Sequence, residues 1–312
     1  MSPPISRPLI SRPRIACVGE AMVEIARIDL REGSARVGVA GDTLNAAIYL
    51  ARLGGAVSYV TTLGTDALSD GMVEAMAAEG LDTALVGRHP TRLPGLYAIE
   101  LDARGERSFR YWREASAART LFGGVGPSLD DLGAFDVVVL SGITLAVLPA
   151  QVRAALIARL GAMKAEGRTV AFDPNYRPRL WPDAATAREA MAAMWRATTL
   201  GLPSLDDEAA LHPGATPEAV LERLTALGVP EIVLKDGAAG PIIRLGPETI
   251  HPALPPAPAV VDTSGAGDSF GAAYLMARLG GASPAEAAEA GHALAGRVIA
   301  HHGAVIPRSA MP

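Results

Sequence analysis

Residues 262–274 read DTSGAGDSFGAAY. The residues just before them, 259–261 (AVV), are apolar and strand-like, and a run with helical spacing follows from about 266 to 279, closed by Gly280 and Gly281. Gly265, Ala266 and Gly267 therefore turn the chain from strand to helix. Free backbone N–H groups at a helix start carry positive dipole character and make an anion site. Side chains would obstruct a phosphate there, so small residues are required. Asp268 stands in the first helical turn, where an acid repels a phosphate. Two readings are open on the residues alone. Asp268 favours the helix N-terminus electrostatically, at about 0.3–1 kcal/mol, or it is a base that takes a proton from a hydroxyl attacking a bound phosphoryl group. The chain contains no GxxxxGK[ST] sequence, so any nucleotide is not held by a P-loop.

Outward from this segment, apolar strand-like runs alternate with longer helical patterns. Strands are expected at 14–18, 57–61, 136–140, 169–173 and 231–234, and helices at 43–53, 150–166, 184–198, 217–227 and 284–300. That alternation predicts parallel strands with helices on both faces. Residues 21–40 and 94–115 break the rhythm with short, alternating strand patterns such as LYAIELD and RSFRYW. They are expected to form a small sheet over one edge of the main domain.

The 312 residues suit one large α/β domain with a small appendage. Residues 1–13, with four prolines and no apolar run, read as a loosely held extension rather than a targeting segment. A net charge of -5 without a basic tract argues against nucleic acid, and no stretch approaches the length of a membrane span. The single cysteine, Cys17, allows no internal disulfide and fits a reducing compartment such as the cytoplasm. The adjacent His301 and His302 lack a nearby Cys or acid, so no structural metal is assigned to them.

The segment at 262–274 resembles the C-terminal signature of the PfkB (ribokinase) family of carbohydrate kinases, D-T-x-G-A-G-D followed by small residues. The resemblance implies a ribokinase-like three-layer α/β/α fold over 14–312 with a β-sheet lid. It also implies ATP and Mg2+, an anion hole at Gly265, Ala266 and Gly267, and a base at Asp268. Residues 234–240 (LKDGAAG) resemble the family's nucleotide loop, which places Lys235, Gly237 and Gly240 against ATP; glycines there permit close approach. His292, on the last helix, falls near the family's adenine pocket, with an ordinary helix-surface histidine as the equal alternative. At 204–208 (SLDDE) the family's Asn-x-x-Glu pattern is only half met: Glu208 matches the Glu that holds magnesium through water, and Leu205 stands at the Asn position, with Ser204 or Asp207 as substitutes if the register shifts. A monovalent cation such as K+ near Gly265 is implied by the family alone.

The acceptor end is read from three further segments. GVAGDTLNAA (38–47) places Gly41, Asp42 and Asn45 at the start of the first long helix. Asp42 is also a candidate N-cap, whereas Asn45 lacks a packing reason inside an apolar helix. RSFRYWR (107–113) puts Tyr111 and Arg113 on one face of a strand, a hydroxyl beside a cationic fork shaped for a carboxylate. FDPNYRPRLW (172–181) carries Arg177 on a loop beyond a strand's carboxyl end, where open α/β sheets bind ligands. Within the family these segments resemble the kinases of 2-keto-3-deoxygluconate more than those of neutral sugars. That likeness implies contacts to a sugar acid from Gly41, Asn45, Tyr97, Tyr111, Arg113 and Arg177, with phosphorylation at the primary C6 hydroxyl. Kinases of 2-keto-3-deoxygalactonate or fructose, or a catalytically silent binding protein, are the alternatives. An exposed lid edge invites pairing, so a homo-oligomer is expected.

Overall fold

Ile15 and Cys17 of the first strand, β1 (Arg14–Val18), pack into one apolar cluster, and Ala16 and Val18 into another. A strand turns successive side chains to opposite faces, so full burial of all four requires cover on both sides of the sheet. The structure, a computed structural model, describes residues 12–101, 107–256 and 259–312. The extension expected at 1–13 thus lies, up to residue 11, outside the described residues.

The strands that follow are β2 (Met22–Asp29), β3 (Ser34–Ala40), β4 (Ala56–Leu63), β5 (Val86–Arg88), β6 (Gly95–Leu101), β7 (Arg107–Trp112), β8 (Val137–Ser141), β9 (Thr169–Asp173), β10 (Leu200–Gly201), β11 (Glu231–Asp236), β12 (Gly240–Leu245) and β13 (Glu248–Ile250). The helices are α1 (Asp42–Arg52), α2 (Ala67–Ala78), α3 (Gly142–Val147), α4 (Ala150–Ala165), α5 (Ala184–Ala197), α6 (Leu205–Leu211), α7 (Pro217–Ala226), α8 (Ala266–Leu279) and α9 (Pro284–Ile299). Among the described residues none of these helices is long and apolar enough to cross a membrane.

The main sheet runs β13-β12-β11-β10-β9-β8-β1-β4-β5. It is parallel from β5 to β11, and β12 and β13 are added antiparallel. Residues of α1, α2, α8 and α9 cover one face, and those of α4, α5 and α7 the other. This is the expected three-layer α/β architecture. Helix starts follow from local chemistry: Asp66 caps α2, Thr216 caps α7, and Ser283 with Glu286 forms a reciprocal capping box on α9.

The segments that broke the strand–helix rhythm form a separate sheet, β3-β2-β6-β7. Its register aligns Gly38, Glu24, Tyr97 and Tyr111 in one row across all four strands. One expectation fails here. Residues 259–261 are not a strand, because the amides of Val261 and Asp262 bond to the Ile299 carbonyl at the end of α9 instead of to a neighbouring strand. The helix then starts at Ala266, so Ala266 and Gly267 lie inside its first turn and Gly265 alone forms the bend.

The loop after β9 is seated against the start of α3. A Cβ on Gly142 would stand 1.9 Å from the Pro174 carbonyl oxygen, a clash with backbone that cannot be relieved by a rotamer change. Gly142→Ala is therefore expected to displace the 173–177 loop and to lower stability by about 1–3 kcal/mol, measured by urea unfolding beside the parent protein.

Candidate active site

Gly265 sets the site. It has φ 73° at the N-cap of α8, and a Cβ there would lie 2.4 Å from the Ala304 carbonyl oxygen. Both the left-handed conformation and the close approach favour glycine. The loop ahead of it is tied to the chain after α9: Asp262 accepts from the amides of Ser264 (3.0 Å) and Gly303 (2.7 Å). Tyr49 of α1 donates its hydroxyl to the Ala304 carbonyl at 2.7 Å and accepts from the Ile306 amide. The N-terminus of α8 is thereby held facing a cleft of about 2170 Å³ between the two sheets.

Asp268 projects from the first turn of α8 into this cleft. Asn45 of α1 donates from Nδ2 to Asp268 Oδ2 at 2.9 Å, which explains a buried amide in an apolar helix. Burial pushes the Asp268 carboxyl up to about 7, and the nearby charges of Asp42 and Asp173 add to the rise, while Asn45 and Lys235 oppose it. A half-protonated carboxyl near neutrality, at a helix N-terminus and beside an open cleft, is suited to accept a proton from a hydroxyl.

The nucleotide-side residues come together on the same cleft. Ser204, Lys235, Gly237, Gly240, Gly265, Gly267 and His292 all line it. Lys235 reaches Asp173 at the end of β9, and its Nζ would lie 3.3 Å from a Cβ on Gly267. An ammonium group therefore stands beside the small-residue turn. Gly237 and Gly240 lie in the tight β11–β12 connection with φ of 47° and 88°. Ser204 caps α6, its Oγ accepting from the Asp207 amide at 3.2 Å.

Glu208 is a correction. It is only 2% exposed, turned away from the cleft, and paired with Arg223 of α7. The reason is helical: Ser204 caps α6 so that Asp207 faces the cleft and the next residue points inward. Burial, followed by the charge of Asp173, raises the Asp207 carboxyl, and Arg177 draws it back. Asp206 and Asp207 are the acids of this segment that line the cleft.

On the acceptor side Gly41, Asp42, Asn45, Tyr97, Tyr111, Arg113 and Arg177 also line the cleft. A Cβ on Gly41 would lie 2.5 Å from the Glu20 carbonyl oxygen, so the glycine has a packing reason of its own. Asp42 does not cap α1; Gly41 occupies that position, and Asp42 accepts from Asn175 Nδ2 at 2.8 Å. Arg113 differs from the open fork expected. Its side chain is 6% exposed and pairs with Glu20, a buried acid just after β1 that also accepts from Ser116 Oγ at 2.6 Å. Arg177 is the half-exposed guanidinium, 3.3 Å from Asp207. Sequence reasoning missed Glu20, Glu24, Asp173 and Asn175. Asp173 and Asn175 lie within FDPNYRPRLW, and an acid at Glu20, two residues beyond the apolar run Ile15–Val18, is the available signal for Glu20.

The sequence profile of the pfkB family carbohydrate kinases matches residues 12–311. The chain belongs to the pfkB family of carbohydrate kinases. Among the relatives of this kinase, the 2-dehydro-3-deoxygluconokinase of Dickeya dadantii (strain 3937) is 43% identical, with 96% of this chain and 98% of the relative covered. The protein of the same name from Escherichia coli (strain K12) is 41% identical over 96% of this chain and 99% of the relative. A solved PfkB protein from Polaromonas sp. JS666 superposes with a TM-score of 0.82 at 28% identity, covering 96% of this kinase and 99% of that chain. The solved 2-dehydro-3-deoxygluconokinase of Thermotoga maritima gives 0.81 at 20% identity over 95% of each chain, a likeness of fold.

A carboxyl lifted by burial costs stability when it ionises. Its folded pKa exceeds its unfolded one, so the penalty is absent at low pH and grows as pH rises toward the folded value. Ligand-free Asp268→Asn is therefore expected to melt about 2–4 °C above the parent near pH 8, with the gap closing near pH 5, as read by calorimetry at both pH values.

Proposed function

We propose that this kinase transfers the terminal phosphoryl group of ATP to the primary C6 hydroxyl of 2-keto-3-deoxygluconate, with Asp268 as base. The observation that carries the chemistry is the Asp268 carboxyl, lifted to about 7 and standing at the glycine-bent N-terminus of α8. The relatives of over 40% identity across nearly the whole chain support the substrate. The acceptor hydroxyl oxygen bonds to the terminal phosphorus as its proton passes to Asp268 and the bond to the ADP oxygen breaks. The backbone turn Gly265–Ala266–Gly267 offers N–H groups to the transferring phosphoryl oxygens. Lys235, held beside that turn, adds a positive charge. Gly237, Gly240, Ser204 and His292 line the nucleotide end, and Gly41, Asn45, Tyr97, Tyr111 and Arg177 the sugar end. Arg113 contributes chiefly by fixing the root of β7 to Glu20.

Magnesium supplies charge neutralisation along the phosphates when bound. The hard oxygen donors Asp173 and Asp207 fit that ion, mostly through water, and Glu208 does not. Among the described residues no three His, Cys, Asp or Glu side chains cluster as a metal cage, so a monovalent cation near Gly265 would rest on backbone oxygens. The small sheet acts as a lid that closes over the sugar and excludes water. Its outer surface exposes Leu30, Val37 and Trp112 beside unpaired edges at β3 and β7, which favours a homo-oligomer in the cytoplasm.

Two outcomes test this reading. ADP release with ATP and magnesium should be strong for 2-keto-3-deoxygluconate and weak for fructose and ribose; preference for a neutral sugar contradicts the substrate. Because Asp268 acts in its ionised form, kcat/KM should rise with pH up to about 7 and then level. Asp268→Asn should retain ligand binding and lose about 10²–10⁴-fold in kcat, and near-normal turnover in that variant would remove the base.

A further inference from the structure

We propose that Glu24, an acid of the lid outside every motif, selects among acceptor sugars by taking a hydrogen bond from a secondary hydroxyl in the middle of the acceptor chain. The inference rests on the sugar-acid reading above and adds the residue that reads the substrate's stereochemistry.

Glu24, Tyr97 and Tyr111 occupy one row of the lid sheet, and all three line the cleft. The Tyr97 hydroxyl donates to Glu24 Oε2. Burial and the Glu24 charge both raise the Tyr97 phenol, which therefore keeps its proton and commits it to Glu24. A phenol has one proton, so the Tyr97 oxygen offers only lone pairs to a ligand. Glu24 Oε1 is flanked by Gly38 on β3, where even an added Cβ would stand 3.9 Å away. A carboxylate accepts about four hydrogen bonds, so Glu24 has capacity left and open space beside it. The Glu24–Tyr97 pair thus faces the cleft as acceptors, with the Tyr111 hydroxyl beside it.

Such a pair takes a hydroxyl as donor and repels a carboxylate. It therefore orients a sugar acid. The acid group then lies away from Glu24, toward a lining arginine such as the half-exposed Arg177, while the primary hydroxyl meets Asp268. A hydroxyl between those ends falls to Glu24 and Tyr97. Sites built to bond a hydroxyl discriminate strongly against an acceptor that cannot supply it, because their polar groups are then left unpaired.

The test is steady-state kinetics of the full-length kinase with 2-keto-3-deoxygluconate and its epimers at C4 and C5, using the parent, Glu24→Gln, Glu24→Ala and Tyr97→Phe. The parent is expected to prefer 2-keto-3-deoxygluconate over at least one epimer by more than about 10-fold in kcat/KM. Glu24→Ala should erase most of that preference, mainly through KM for the preferred substrate. Glu24→Gln should erase part of it, and Tyr97→Phe should move it in the same direction. Tyr97→Phe keeps the ring in place, so the inference stays testable if the Glu24 variants melt early. A preference unchanged in all three variants, a uniform fall in kcat on every epimer, or a parent indifferent to configuration overturns the role of Glu24 while leaving the substrate class standing. A parent inactive on all the keto-deoxy acids but active on a neutral sugar overturns the substrate reading, and this inference with it.

Discussion

The hydrogen bond from Asn45 to Asp268 joins two helices 223 residues apart in sequence, at the point where the sugar side of the cleft meets the phosphate side. It satisfies one carboxylate oxygen in a place where burial and two neighbouring acids oppose ionisation. Without that bond Asp268 would be lifted further, and less of it would be ionised at neutral pH. With it, the carboxyl sits where a base is useful. The packing of α1 against α8 in one apolar cluster keeps the two side chains in register.

The rest of the site depends on where the backbone can come close. Gly265 lies against Ala304, Gly41 against the Glu20 carbonyl, and Gly142 against Pro174. These three contacts fix α8, α1 and the loop after β9 around one cleft. A set of ionic contacts then fixes the charges: Lys235 on Asp173, Arg177 on Asp207, and Arg113 on Glu20. These three cations are thus paired in the absence of ligand. A phosphate or carboxylate that binds one of these three must exchange with a protein acid, which limits affinity and sharpens selection.

Much of this was legible in the amino-acid sequence because local rules and tertiary structure agree there. The largely buried strands β1, β8 and β9 read as apolar runs, and α8 begins within its small-residue turn. The lid appeared through its period-two alternation. What stayed hidden depends on contacts distant in sequence. Glu208 matched a motif but is drawn inward by Arg223, 15 residues on. Arg113 reads as an open fork in the sequence because its partner, Glu20, is 93 residues away. Residues 259–261 have strand composition, yet their amides find the end of α9 first. Helix α2 carries a clear N-cap at Asp66, yet its apolar pattern is faint in the sequence. Small residues such as Ala67, Ala75 and Ala77 blur its apolar stripe.

The most direct measurement is a carbon-13 NMR titration of the aspartate carboxyls in the ligand-free protein, with the Asp268 signal identified by its loss in Asp268→Asn. The account predicts that this signal titrates near about 7. A midpoint near the ordinary value of 3.8 would mean that the carboxyl is well solvated and already ionised, and would contradict a base tuned by its surroundings.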